Sequence, residues 1–156
     1  MARIHVLGAS GSGTSTLGAA VAAALGVPHF DTDDAFWLPT EPPFTTPRPP
    51  AERLALLSER LAAHAGWVLS GSALKWGEPL APLYDLIVFL TLDPALRMAR
   101  LRRRERTRYG DRIGPGGDMA AASAAFLDWA ATYDTAGPDR RSRTAHETWL
   151  AAPVLR

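Results

Sequence analysis

The stretch Gly8-Ala9-Ser10-Gly11-Ser12-Gly13-Thr14-Ser15 constrains this chain more than any other part of it. It fits G-x-x-x-x-G-x-[ST]. Before it lies a β-prone alternating run, Arg-Ile-His-Val-Leu at 3–7, and after it a small-residue run at 14–25 closed by Gly26. Glycines at this spacing let successive backbone N–H groups curl around an anion, and the following helix N-terminus adds partial positive charge. The expectation is a strand, a phosphate-binding loop and a helix, with Gly8, Ser10, Gly11, Ser12, Gly13, Thr14, Ser15 and Thr16 as nucleotide-binding residues. Ser15 is placed to offer its hydroxyl to Mg²⁺. Thr14 stands where such loops carry lysine, and a threonine cannot neutralise the β- and γ-phosphates.

The rest of the chain alternates in the same manner. Val27–Phe30 reads as a second strand, followed by the acidic cluster Asp31-Thr32-Asp33-Asp34. Six prolines between Pro39 and Pro50 exclude a helix interior or a central strand and predict an extended surface loop. Leu54, Leu57 and Leu61 share one face of a helix over 51–64. Trp67-Val68-Leu69 is a strand ending in Ser70-Gly71-Ser72. The apolar run 86–90 predicts a strand buried on both faces. Helices are expected over 94–108, with Pro94 at its start, over 119–133 and over 139–151. Residues 110–117 form a glycine-rich loop. Met119, Phe126, Trp129 and Tyr133 fall at helical spacing and read as plain core. Pro153-Val154-Leu155 is a candidate final strand. Alternating strands and helices imply a single α/β domain with a mainly parallel, five-stranded sheet. Ligands in such sheets sit beyond the carboxyl ends of the strands. The glycine loop, the acidic cluster and Gly71 all follow strands directly.

Charge narrows the function classes. The 156 residues carry 17 basic and 16 acidic side chains, a net +1, and all basic residues but Lys75 are arginine. An arginine-rich skew reads first as mutational bias. Residues 97–112 hold eight arginines and two acids, +6, so the remainder carries −5. A basic segment on a mildly acidic body suggests a local anion partner such as phosphate. The alternative is a solvated helix face, although five arginines between 102 and 108 cannot all share one face. Near-zero net charge and the lack of a recognisable DNA-binding motif weigh against a nucleic-acid partner. The absence of cysteine excludes a disulfide framework, a thiolate metal site and a cysteine nucleophile, and fits a cytoplasmic location. No apolar run is long enough to span a membrane. The glycine loop follows the first residues too closely for a signal peptide.

Residues 4–20 and 30–34 resemble the P-loop small-molecule kinases, namely adenylate, cytidylate and shikimate kinases. The glycine loop followed by Phe30-Asp31-Thr32-Asp33 looks particularly like the opening of shikimate kinase. The whole chain is similar to small bacterial adenylate-kinase-related proteins of the FlaR, or DNA topology modulation, type. In that group threonine also stands at the lysine position. The resemblance implies a P-loop three-layer α/β/α sandwich like that of nucleoside monophosphate kinases. It implies an acceptor-side loop at about 32–50 and an arginine-rich lid at about 102–118. It further implies ATP or another nucleoside triphosphate with Mg²⁺, Asp31 on the metal side with Ser15, and Asp33 on the acceptor side. Gly71 falls where these kinases place a glycine close to the acceptor, and a strand-ending turn explains it equally well.

Without the resemblance, a carboxylate near a nucleophile can accept its proton. A helix N-cap is the competing role in the acidic cluster, and Asp34 suits it. Phe36, Trp37 and Phe44 either pack the proline-rich loop or stack on a ring, with Trp37 a substrate-binding candidate. Arg97-x-x-Arg100-Leu101-x-x-Arg104 resembles the helix leading into a kinase lid. Arg104 and Arg108, then Arg112, are the expected phosphate-facing residues, and one of them is expected to replace the missing lysine. Lys75, Arg141 and Arg143 are further candidates. His5, His29, His64 and His146 have no metal spacing and read as structural or surface residues. Three functions compete: a phosphotransferase acting on a nucleotide or small hydroxylated metabolite, a nucleotide-binding regulator without turnover, and a nucleic-acid-associated protein.

Overall fold

A computed structural model of the chain describes residues 1–152. Its sheet has four strands among the described residues: β1 (Arg3–Gly8), β2 (His29–Asp31), β3 (Trp67–Ser70) and β4 (Leu86–Leu90). All pair in parallel, in the order β2-β3-β1-β4. The expected fifth strand at Pro153–Leu155 lies outside the described residues. Alternation along β1 and β3 builds two cores. Ile4, Val6 and Val68 point to one face, where helix α1 (Thr14–Leu25) covers them through Ala22. Trp67 and Leu69 point to the other face and meet Leu57 and Leu61 of α3 (Pro50–Ala62). α1 lies close to the sheet because its buried residues are Gly18 and Ala22. A Cβ on Gly18 would collide with the Ser70 hydroxyl and approach His29 Nε2 at 2.9 Å.

The acidic cluster is helical rather than a loop. Asp31 caps α2 (Thr32–Phe36) by accepting from the Asp33 N–H at 2.9 Å, so the cap is Asp31 and not Asp34. The proline-rich segment is also more ordered than an extended loop. Leu38 N–H donates to Thr46 O at 2.9 Å and Arg48 N–H to Phe36 O at 2.7 Å, which folds the segment back on itself. Expected strand β4 is not doubly buried. It is the sheet's edge among the described residues, and Leu86 is 53% exposed. Its apolar run reflects one covered flank, with β1 and β3 taking the doubly buried places.

A 3-10 helix over Glu78–Leu83 leads into β4, and three more α-helices follow it: α4 (Pro94–Tyr109), α5 (Ala120–Ala131) and α6 (Arg143–Leu150). α4 runs unbroken through the arginine cluster and ends in a 3-10 turn at Gly110–Ile113. Met98 and Leu101 of α4 pack on Ala130 of α5. α6 begins later than expected, because Ser142 caps it by accepting from Ala145 N–H at 3.0 Å. Residues 139–142 are therefore a turn, and this places Arg140 and Arg141 ahead of the helix.

Candidate active site

The phosphate loop is built by two left-handed glycines, Gly11 at φ +81° and Gly13 at φ +98°. Gly8 must also be glycine, since a Cβ there would lie 2.5 Å from Leu90 O and 2.7 Å from Ser12 Oγ. Ser12 is buried and spends its hydroxyl on Ala9 O at 2.7 Å, so its side chain closes the loop from within. Two guanidinium groups hold the loop's carbonyls from outside. Arg97 Nη1 donates to Ser10 O at 3.3 Å, and Arg141 Nη2 donates to Gly8 O at 2.8 Å. Within the loop, Ser12 N–H donates to Ala9 O at 3.1 Å.

A cavity of about 980 Å³ opens over the loop at the carboxyl end of the sheet. Its floor includes Ser10, Gly11, Thr14 and Ser15, and beside them Asp31, Asp33, Gly71 and Ser72. Gly8, Ser12, Gly13 and Thr16 do not line it. Gly8, Ser12 and Gly13 shape the loop, and Thr16 is exposed on the first turn of α1. The Ser15 hydroxyl donates to Asp31 Oδ2, while Asp31 Oδ1 caps α2. Both carboxylate oxygens of Asp31 are thus oriented, and a hydroxyl and a carboxylate meet at the mouth of the loop. Gly71, at φ +98°, lets the chain turn directly over Thr32, where any Cβ would collide with the threonine hydroxyl.

Asp33 stands in the open cavity, reached by solvent but flanked by protein. That enclosure raises its pKa, and the neighbouring Asp31 charge raises it further. Arg141, Arg104 and Arg108 act in the opposite sense. Arg104 and Arg108 are one helical turn apart and both line the cavity, whereas Arg102, Arg103 and Arg106 do not. Desolvation lowers the Arg104 pKa first, with Arg108 adding to it, but arginine remains charged. Arg108 lies flat on Phe44, its guanidinium 3.9 Å from the ring centroid.

Several expected candidates are committed elsewhere. Arg112 is exposed and pairs with Glu41 at 2.5 Å and Asp118 at 2.8 Å, tying the proline-rich segment to the end of α4. Lys75 lines the cavity, but its Nζ donates to Asp139 O at 2.6 Å. Arg143 pairs with Glu147 on the surface of α6. Arg97 is buried, bonded to Asp134 and Ala130 O as well as to the loop. Phe126 and Trp129 are not plain core. With Met119 they wall the cavity, as do Phe36, Trp37, Phe44, Trp76 and Trp149. His5 and His146 are buried and structural. Arg140 and Arg141 also line the cavity, and of the two only Arg141 was among the expected candidates. The available signal was the Ser142 cap: it marks the preceding residues as a turn at a helix start rather than part of a solvated helix face.

A magnesium ion fits the donors present. Ser15 and Asp31 offer hard oxygen atoms beside a phosphate cradle, the usual setting for an ion that keeps water and substrate phosphates as its remaining ligands.

No protein-family model matches the chain. Among solved structures, a gluconokinase from Sinorhizobium meliloti 1021 is 32% identical over 66% of this chain, with a TM-score of 0.49. The match spans 65% of that gluconokinase. A shikimate kinase from Acinetobacter baumannii, solved with shikimate, is 16% identical, with a TM-score of 0.48 over 96% of this chain and 91% of its own. Among curated proteins, the uncharacterized protein YqaC of Bacillus subtilis (strain 168) is 46% identical over 98% of this chain and 86% of its own length. The chain belongs to the YqaC family.

Proposed function

We propose that this protein is a Mg²⁺-dependent phosphotransferase of the P-loop small-molecule kinase type. It moves the γ-phosphoryl group of ATP or another nucleoside triphosphate to a nucleotide or other small hydroxylated acceptor. The observation that carries this reading is the convergence at one sheet edge of the glycine loop, the Ser15–Asp31 pair and Asp33 among cavity-lining arginines. The loop N–H groups bind the phosphates. Ser15 and Asp31 would hold the magnesium ion, which when bound neutralises phosphate charge. Asp33 accepts the acceptor hydroxyl's proton as the new O–P bond forms and the bond to the β-phosphate bridging oxygen breaks, releasing the diphosphate. Its raised pKa makes it a better base than an ordinary aspartate. Arg104 and Arg108 face the transferring group from across the cavity. Trp37 and Gly71 border the acceptor side, whose wall of Phe36, Phe44 and Trp76 suits a ring-bearing acceptor.

The test is nucleoside triphosphate consumption with a panel of nucleoside monophosphates and small hydroxylated metabolites. Asp33→Asn should lower kcat with the best acceptor by roughly 10²–10⁴ while nucleotide affinity stays near wild type. The acid limb of the wild-type rate should lie above the ordinary aspartate value of 3.8 and disappear in the variant. Thr14 favours a second reading, a nucleotide-binding regulator. Tight nucleotide binding by the wild type with no turnover on any acceptor would select it.

A further inference from the structure

We propose that Arg141, from the turn ahead of α6, supplies the positive charge that the phosphate loop lacks at Thr14 and holds the terminal phosphate of the bound polyphosphate. The ligand's identity as a triphosphate rests on the phosphotransferase reading, whereas the choice of Arg141 rests on geometry.

Five cations line the cavity: Lys75, Arg104, Arg108, Arg140 and Arg141. Lys75 is tied to the Asp139 carbonyl. Arg108 is stacked on Phe44 with Glu105 at 3.9 Å, and Arg104 lies over Phe126 at 5.7 Å, both on the α4 wall. Only Arg141 among the five touches the phosphate loop, through its 2.8 Å bond to Gly8 O. Gly8 opens the loop and Thr14 closes it, so an anion seated on the loop amides lies between the residue Arg141 holds and the residue that lacks charge.

Arg141 is also unspent. Among the described residues no carboxylate lies within salt-bridge distance of it, and its Nε is buried with no hydrogen-bond partner. Two other guanidinium groups lie at the loop and neither lines the cavity: Arg97 is neutralised by Asp134 at 3.0 Å, and Arg100 Nη1 stands 3.7 Å from where a Cβ on Gly13 would sit. The Asp33 and Asp31 carboxylates act on it only from beyond salt-bridge distance, so the cost of desolvating the guanidinium is only partly offset, and an arriving phosphate removes the rest. The turn that presents it is fixed on both sides. Ser142 Oγ donates to Gly137 O at 2.8 Å, and Arg143 N–H donates to Tyr133 O at 2.9 Å. The charge is thus held in place before the ligand arrives, as electrostatic stabilisation of a phosphoryl group requires.

The test measures binding of inorganic tripolyphosphate and pyrophosphate with magnesium, so neither base recognition nor turnover enters. Arg141→Gln should weaken tripolyphosphate binding by about ten- to a hundredfold, the scale of a charged hydrogen bond, and pyrophosphate binding less. Arg141→Lys should retain most of the affinity. Thr14→Lys should recover the loss in the Arg141→Gln chain but add less than about threefold to the native chain, since the two cations would then be redundant. Unchanged tripolyphosphate affinity in folded Arg141→Gln overturns the proposal, as does failure of Thr14→Lys to rescue it. Absence of any polyphosphate binding by the native chain overturns it as well. If Arg141→Gln does not fold, Thr14→Lys in the native chain decides: a tenfold gain means that the charge was missing. Phosphoryl transfer that survives Arg141→Gln would sink this assignment and leave the phosphotransferase reading standing. Polyphosphate binding that depends on Arg141, without turnover by the native chain, would do the reverse.

Discussion

Gly11 shows how much a single residue can carry at this site. Its φ of +81° places it in the left-handed region, and a Cβ there would lie 2.8 Å from Leu101 Cγ and 2.9 Å from Arg97 O. The loop therefore presses directly on α4 at a position where a side chain cannot be accommodated. Gly11→Ala should lose roughly 1–2 kcal/mol to backbone strain and a further 1–3 kcal/mol to overpacking. Nucleotide affinity should fall with it, because the displaced backbone carries the N–H groups proposed to bind phosphate. Urea denaturation and nucleotide titration measure the two effects, and an alanine variant of native stability and affinity would show that the loop is looser than described. That Gly11 belongs to a glycine loop between a strand and a helix was legible from spacing alone. Its contact with Leu101 was not, because 90 residues separate the two in the chain.

At the scale of elements, α4 does two unrelated jobs with one kind of residue. Its buried arginine, Arg97, is 1% exposed and joins three segments: the loop through Ser10 O, α5 through Ala130 O at 3.0 Å, and Asp134 at 3.0 Å. Further along the helix, Arg104 and Arg108 present charge to the cavity. Arg97→Met keeps most of the volume but frees the Ser10 carbonyl and leaves Asp134 unpaired. Breaking a buried pair by removing one partner costs about 3–5 kcal/mol, and partly exposed Asp134 places the expected loss near about 3 kcal/mol. A shift in the urea midpoint equivalent to less than about 1 kcal/mol would mean that packing, not the ion pair, holds α4 to the loop. Helical periodicity showed that the cluster must divide among faces. Which arginine went inward followed from where α5 and the loop sit.

Taken as a whole, the molecule stores acid sensitivity in two buried imidazoles. Burial lowers His5 to about 4, against an accepted bond at Leu69 O that works the other way, and His5 stacks on Tyr84 at 4.6 Å. Burial, then the Arg141 and His5 charges, lower His146 to about 3. His146 bonds Tyr133 Oη at 2.7 Å and Ser72 Oγ at 3.0 Å. Both side chains titrate near 6.5 when unfolded. Between pH 6.5 and their folded values the unfolded chain binds more protons, so stability rises with pH and is lost on acidification. Each histidine contributes a slope of up to about 1.4 kcal/mol per pH unit in that window. Asp33, raised rather than lowered, opposes this slope. Urea midpoints at pH 7, 6 and 5 should fall steeply, and His146→Gln should flatten the fall; an equal slope in the variant would remove His146 from the account.

What the sequence determined by itself is local. The glycine loop, Ser15, the strand–helix alternation and the proline-rich break are set by backbone dihedrals and by periods of two and 3.6 residues, which neighbouring side chains specify. The site's charge pattern is not local. Gly8 and Arg141 meet across 133 positions, Arg97 and Asp134 across 37, and Tyr109 donates to Pro43 O across 66. Sixteen arginines look alike in a string of letters. Only the packing of α4, α5 and the turn before α6 around one sheet edge decides which is buried, which is paired and which faces the phosphate loop. Burial and charge pairing depend on the distances between segments, and those exist only once the chain has folded.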